Sequence, residues 1–364
     1  MEAIMNKKIS VQRVSQSRIH TVDFDHIPFG KIFADHMLVA DYADGKWGEP
    51  KIMPYQNISF SPAISALHYG QSIFEGMKAY KTTEGKAVLF RPKENWERMN
   101  HSATRMCMPE VPYDIFMDGV QQLVNLDQAW IPQQAECSLY IRPFMFATDE
   151  FVGIRPSETY RFIIFSCPVG AYYPEPVGLM VTAKYVRAID GGTGEAKAAG
   201  NYGGSLLASK EAKERGYHNV LWLDGRERKY AEECGTMNIF FVIDGVAVTP
   251  KLSGTILHGT TRQALIQLLH DMGVEVQERH ISIEEIFQAH AAGKLEEAFG
   301  AGTAATVAPV QRIGHDGSVP VLEGLDEIVL PAMDTRKVGP ELLKRLSEIR
   351  VGLAPDIHGW LIPV

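Results

Sequence analysis

The sequence predicts an α+β fold in two domains, and three observations carry that expectation. The chain has 364 residues, longer than a single hydrophobic core usually organises. Strand-like and helix-like segments follow one another without the regular βαβ rhythm of a doubly wound parallel sheet. Near the middle, the stretch from Pro168 to Pro176 is rich in Pro, Gly and Tyr, the composition of a connection between domains. The division expected is 1–167 as a smaller N-terminal domain, 168–178 as a linker loop and 179–364 as a larger domain.

The elements follow in order. The first forty residues carry short apolar groups broken by His26, Pro28, Gly30 and Asp35, which predicts strands or loops. Asn95 to Met108 places Trp96, Met99 and Ala103 at helical spacing, with Asn95 as N-cap and Pro109 past the end. Ile115 to Trp130 repeats the pattern and stops at Pro132. Ser138 to Phe146 alternates in the manner of a strand, and Arg161 to Cys167 is an apolar run suited to a buried one. Leu179 to Ala183 and Asn219 to Leu223 read as strands flanking a helix from Ser205 to Arg215. Glu232 to Ile243 and Val246 to Thr249 form a hairpin turned by Asp244 and Gly245. Thr261 to Met272 and Ile283 to Ala291 complete the helices, and there is no internal repeat.

Composition narrows the function classes. Hydrophobic residues make up 45% and charged residues 22%, and 36 basic against 44 acidic side chains give a net charge of −8. That balance offers no electrostatic case for nucleic acid or anionic lipid. The densest basic stretch, Arg226 to Lys229, is interrupted by Glu227 and reads as a solvated turn. The longest apolar run, Ile239 to Ile243, halts at Asp244, far short of the ~20 residues a membrane span needs. Cys107, Cys137, Cys167 and Cys234 are widely separated, which favours a reducing compartment over a disulfide framework or zinc ribbon. Met1 to Ser17 is polar and lacks the apolar core of a signal peptide. No two of the twelve histidines form a ligand pair on one helical face, so no metal is expected. A cytoplasmic enzyme or binding protein is the expectation.

Two glycine-rich segments fail the tests for nucleotide motifs. Gly191 to Lys197 ends in Ala196, Lys197 and Ala198, whereas a phosphate loop needs Gly before the Lys and Ser or Thr after it. Gly300 to Ala305 fits the loose dinucleotide pattern, but Lys294 to Phe299 before it makes a poor first strand.

Three other segments carry chemistry. Glu195 to Gly204 sets Lys197 among Ala198, Ala199 and Gly200, with Tyr202 five positions on. A lysine that bonds a cofactor must be desolvated enough to lose its proton and must admit a bulky ring. An exposed loop lysine is the bland alternative. Glu232 to Phe241 puts carboxylates immediately before an apolar strand, followed by Gly235-Thr236-Met237-Asn238. A buried acid needs a partner, and a protonated ring nitrogen supplies one; otherwise it is a surface acid at a strand start. His258 to Arg262 opens a helix, where free amides attract anions, and Gly300 to Ala305 offers a second amide-lined turn. Either is equally compatible with an ordinary glycine turn.

Together, the segments Lys197 to Gly203, Glu233 to Phe240, Gly259 to Arg262 and Phe299 to Ala304 resemble the fold-type-IV pyridoxal-phosphate enzymes. Leu67 to Gly70, Phe74 to Lys78, Phe90 to Pro92 and Tyr140 to Pro143 narrow the resemblance to branched-chain amino-acid aminotransferases. Cys167 to Tyr172 and the ending Trp360 to Val364 are similar to the subgroup that includes the animal enzymes. The resemblance runs from about Phe60 to the C-terminus. It implies a barrel-like sheet in the larger, cofactor-binding domain and a homodimer with Tyr69 contributed across the interface. It also implies transamination between L-leucine, L-isoleucine or L-valine and 2-oxoglutarate on pyridoxal 5'-phosphate.

The resemblance further implies roles. Lys197 would bond the cofactor as a Schiff base and later move the substrate α-proton. Tyr202 would hydrogen-bond the phenolic oxygen, and Glu233 would pair with the ring nitrogen. Arg98 would grip the phosphate with the amides of Thr260 and Thr261 and with Thr303. Thr303 and Ala304 would present amides to the substrate carboxylate. Tyr69, Phe74, Tyr140 and Tyr172 would wall an apolar pocket, with Arg142 beside it. The animal enzymes carry a C-x-x-C pair where this chain has Ala305 and Ala308, so thiol regulation there is not expected. A D-amino-acid aminotransferase or aminodeoxychorismate lyase of the same fold would share Lys197 and Glu233, and a carrier without chemistry would have no use for them.

Overall fold

The structure, a computed structural model, describes residues 9–134, 136–170, 172 and 175–364. Their contacts gather into two units. The first comprises Met1–Tyr172, Ala196–Gly200 and Ser347–Val364, and the second Tyr173–Glu195 and Asn201–Leu346. Two segments thus depart from the contiguous division expected above, each for a visible reason. Ala198 pairs with Ile73 in an antiparallel bridge, and the strand Leu361–Pro363 pairs with Ala87–Phe90. The predicted linker, 168–178, is shorter than expected at both ends. Pro168 and Val169 finish the strand Tyr160–Val169, and Val177 and Gly178 begin Val177–Val181. Its residues 171, 173 and 174 lie outside the described residues.

A ten-stranded sheet organises the first unit. Its centre is the antiparallel pair Ser138–Ala147 and Tyr160–Val169, in register from Ser138 opposite Val169 to Ala147 opposite Tyr160. His36–Ala43 lies on one side and Met77–Lys81 with Ala87–Phe90 on the other. The helices Pro92–Arg105 and Tyr113–Leu126 bury an apolar stripe: Met99, Ala103, Ile115, Phe116, Val120 and Leu123 join Leu38, Ile141 and Ile164 in one core. Met37, Val39, Phe146 and Ile163 are buried in a second cluster. With apolar packing on both faces, the central strands show little of the alternation that a half-exposed strand has.

The helix Pro92–Arg105 starts four residues earlier than predicted, its cap at Arg91 rather than Asn95. Pro92 occupies its first turn, where a missing N–H costs nothing, and Arg91 before it takes a left-handed φ of 50°. Asn95 is therefore inside the helix, buried, and its amide serves the site described below.

Six strands of the second unit close into a ring: Val177–Val181, Asn219–Leu223, Ala231–Cys234, Met237–Ile243, Leu295–Gly302 and Thr306–His315. This is the barrel-like sheet, and closure leaves those six without a free edge. Leu179, Leu221, Ile239, Phe241, Ala298 and Val310 belong to its buried core. Asp244 (φ 54°) and Gly245 (φ 78°) turn the hairpin Met237–Ile243/Val246–Thr249 as predicted. Leu295–Gly302 corrects an expectation: the segment that reads as too poor for a strand is one. It turns back into the antiparallel Thr306–His315 rather than into a helix, which is what excludes a dinucleotide fold there. No helix of the described residues is long and apolar enough to cross a membrane.

Candidate active site

In the first unit, Lys197 is held by its backbone at two points. Its carbonyl accepts from Phe74 N (3.0 Å), and its N–H donates to Ser102 Oγ (2.9 Å). Ser102 is fully buried and in turn donates to the Arg98 carbonyl (2.9 Å), tying the lysine to the helix Pro92–Arg105. The Lys197 side-chain nitrogen stands 4.9 Å from the centre of the Phe74 ring. Arg142 lies against the same ring at 4.6 Å and donates to the Tyr140 hydroxyl at 2.9 Å. That hydroxyl comes so close to Gly76 that a Cβ there would collide with it. Phe29 packs edge-on against both Tyr140 (5.6 Å) and Tyr172 (4.7 Å). Lys197, Phe74, Tyr140, Arg142 and Tyr172 thus form one connected group. Tyr69 is 42% exposed and makes its ring contact with His68 instead.

Arg98 is buried, and its guanidinium grips Glu75 in a two-pronged pair of 2.7 and 2.8 Å. Burial alone would raise the Glu75 pKa, but the charges of Arg98 and Lys197 and the hydrogen bonds from Arg98 and Asn95 outweigh it. The carboxyl is held below its usual range. Sequence reading missed Glu75 as a site residue, although it lies inside the Phe74 to Lys78 motif.

In the second unit, Glu233 is buried, and its Oε1 accepts from Leu257 N at 2.8 Å. Its Oε2 lies 3.0 Å from Arg187 Nε, out of line for a hydrogen bond, so charge holds the pair. Arg187 also donates to the carbonyls of Gly194 and Thr255. Arg187 is a second residue that sequence reading missed. The neighbouring Glu232 accepts from Thr255 Oγ1 at 2.5 Å, and its buried Oε2 has no partner among the described residues. Desolvation raises its pKa despite Thr255 and Arg187.

The Gly-Thr-x-Asn pattern has a structural meaning. Asn238 donates to the Leu257 carbonyl (3.0 Å), strapping down the loop that leads into the helix Thr260–Asp271. Gly259 is that helix's N-cap, and a Cβ on it would strike Asn238 Oδ1. The Gly259 cap has no side chain to offer, so the helix start is shaped by backbone, with the amides of Thr260 and Thr261 in its first turn. Thr303 and Ala304 occupy the half-buried hairpin turn after Leu295–Gly302, whose Ala301 pairs with Asn238. Gly300 is close-packed, since a Cβ there would meet Met237 and Cys234. Tyr202 is half-buried in the short helix Ala199–Gly203.

Taken separately, the units carry groups of the kinds that pyridoxal phosphate engages: in the first a lysine amine beside aromatic rings, in the second a buried glutamate paired with an arginine and a helix start shaped by Gly259. The chain matches the family model for amino-transferase class IV over residues 72–313. It is 46% identical over 347 residues to branched-chain-amino-acid aminotransferase 2 of Bacillus subtilis, covering 94% of this chain and 93% of that protein. It is 44% identical to a probable branched-chain-amino-acid aminotransferase of Staphylococcus epidermidis, covering 99% of each. Among solved structures, it resembles the branched-chain amino acid aminotransferase of Escherichia coli (TM-score 0.72, 28% identity, 90% of this chain and 98% of that one). It also resembles the branched-chain aminotransferase of the thermophilic archaeon Thermoproteus uzoniensis, solved with norvaline (TM-score 0.72, 27% identity, 90% and 99%).

Proposed function

This chain belongs to the class IV amino-transferase family, and on that premise we propose that it moves an amino group between L-leucine, L-isoleucine or L-valine and 2-oxoglutarate, using pyridoxal 5'-phosphate. The observation that carries the reading is the anchoring of Lys197. Its backbone is fixed by Phe74 and Ser102, and its amine lies beside the Phe74 ring that Arg142 also touches. Near-full-length relatives that bear the branched-chain aminotransferase name at 46% and 44% identity support the substrate class.

When bound, pyridoxal phosphate supplies an electron-withdrawing ring that makes a substrate α-proton removable. The residues of this chain do the rest. Lys197 would hold the cofactor through its side-chain amine, and that amine, when free, would move the substrate α-proton. Glu233, paired with Arg187 at 3.0 Å, would face the ring nitrogen and hold its proton. Tyr202 hydrogen-bonds the phenolic oxygen. Arg98, with the amides of Thr260 and Thr261 and with Thr303, holds the phosphate. Thr303 and Ala304 direct amides at the substrate carboxylate.

One pocket must take a leucine side chain in one half-reaction and the glutamate side-chain carboxylate in the other. Tyr69, Phe74, Tyr140 and Tyr172 suit the first, and Arg142 with the Tyr140 hydroxyl suits the second. Burying a leucine-sized side chain is worth about 1.5–3 kcal/mol, which sets a preference without sharp choice among the three amino acids. We place the working protein in the cytoplasm as a homodimer completed by Tyr69 of the second copy; sedimentation as a monomer at working concentration would remove that part. For the reaction, L-leucine with 2-oxoglutarate should give glutamate and the branched 2-oxo acid with ping-pong kinetics. Turnover of D-alanine alone would overturn the assignment.

A further inference from the structure

We propose that Glu75 is a positioning residue for the transamination site, orienting the guanidinium of Arg98 and joining the two elements that hold the Lys197 backbone. The inference rests on the reading of Lys197 and Arg98 as cofactor residues.

Glu75 is fully buried at the end of the strand Ser72–Phe74. Four donors converge on its carboxylate. Arg98 Nε reaches Oε1 at 2.7 Å, while Arg98 Nη2 (2.8 Å), Asn95 Nδ2 (2.7 Å) and the Gly76 N–H (3.1 Å) reach Oε2. A two-pronged grip of this kind fixes the plane of a guanidinium as well as its place. It occupies the Nε–Nη2 edge and turns the Nη1 edge away from Glu75. A phosphate-binding arginine is most useful with its orientation settled before the ligand arrives.

The same few residues set Lys197. Phe74, the neighbour of Glu75, donates to the Lys197 carbonyl, and Ser102, one helical turn from Arg98, accepts from the Lys197 N–H. Backbone hydrogen bonds therefore place the lysine, and the carboxylate joins the two elements that place it. The charge of Lys197 is among the influences that hold the Glu75 carboxyl below its usual range.

The test uses the full-length protein and reads pyridoxal phosphate affinity by equilibrium dialysis, with the melting temperature of the cofactor-free protein as the control for fold. Glu75→Gln should weaken cofactor binding on the order of tenfold, as the charge-assisted Arg98 fork loosens. Glu75→Asp keeps the charge and shortens the reach, and should recover part of that loss. If Glu75→Gln does not fold, Glu75→Asp alone decides, because wild-type affinity in that variant overturns the orienting role. Wild-type affinity in Glu75→Gln overturns the inference and leaves the cofactor reading intact. A wild-type protein that shows no visible band on loading overturns both.

Discussion

Ser102 and Arg187 each hold a residue to which the proposed chemistry gives a role, Lys197 and Glu233. Ser102 is 95 positions from the lysine whose N–H it accepts. No local pattern announces such a partner, and Glu75 and Arg187 were hidden for the same reason: a buried charge is explained only by what folding brings beside it. Lys197 and Glu233, by contrast, stood out as candidates along the chain itself, by the small residues after the lysine and the Gly-Thr-x-Asn after the glutamate, and their proposed roles came from the family resemblance. Lys197→Ala should abolish transamination while leaving the circular dichroism spectrum unchanged; retained turnover would show that another group moves the proton. Ser102→Ala leaves a buried N–H without its acceptor and should cost about 1–3 kcal/mol in denaturant unfolding. Glu232 yields a pH prediction. Its folded pKa is raised by burial, so the folded state favours the protonated form, and stability is lost as pH rises from the unfolded value toward the folded one. Glu232→Gln cannot ionise and should flatten that loss, seen as a smaller fall in melting temperature across the same window.

At the scale of elements, periodicity located most helices and strands, and caps were the weak point. The helix Ile283–Ala291 falls where its pattern put it, and its Ser282 cap accepts from Glu285 N. The helix Pro92–Arg105 was misplaced because Asn95 resembles an N-cap, whereas its amide is committed to Glu75. Leu295–Gly302 escaped recognition because Glu296 and Glu297 break its apolar run. Glu297 is nonetheless buried, accepting from the N–H groups of Lys337, Val338 and Gly339 at the start of the helix Val338–Arg350. Two glycines test how elements set the site. Gly245→Ala forces a side chain into the left-handed region of the hairpin turn and should cost roughly 1–2 kcal/mol in stability without changing KM for leucine. Gly259→Ala drives a methyl into Asn238 and should instead weaken cofactor binding by an order of magnitude or more, measured by dialysis. Equal effects of both on stability alone would deny Gly259 its role at the phosphate end.

For the molecule as a whole, the two-part organisation was legible from length and from the Pro-rich stretch, but its discontinuity was not. Residues 196–200 and 347–364 belong to the first unit through backbone pairing with Ile73 and with the strand Ala87–Phe90, and pairing between distant segments leaves no mark on composition. The closed ring of six strands likewise came from resemblance to a family rather than from periodicity, since burial and register decide closure. Ligand linkage gives a global prediction: pyridoxal phosphate at one hundred times its dissociation constant should stabilise the folded protein by about 2.7 kcal/mol. The central claim is that one lysine, held by Phe74 and Ser102, carries a cofactor that shuttles amino groups from branched-chain amino acids. The most direct test incubates the loaded protein with L-leucine and 2-oxoglutarate, and with D-alanine and 2-oxoglutarate, and measures glutamate formed, with a borohydride-treated sample digested to find the modified residue. Glutamate from L-leucine, with the fixed cofactor on Lys197, is the predicted result. Glutamate from D-alanine alone, or label on any other residue, would contradict it.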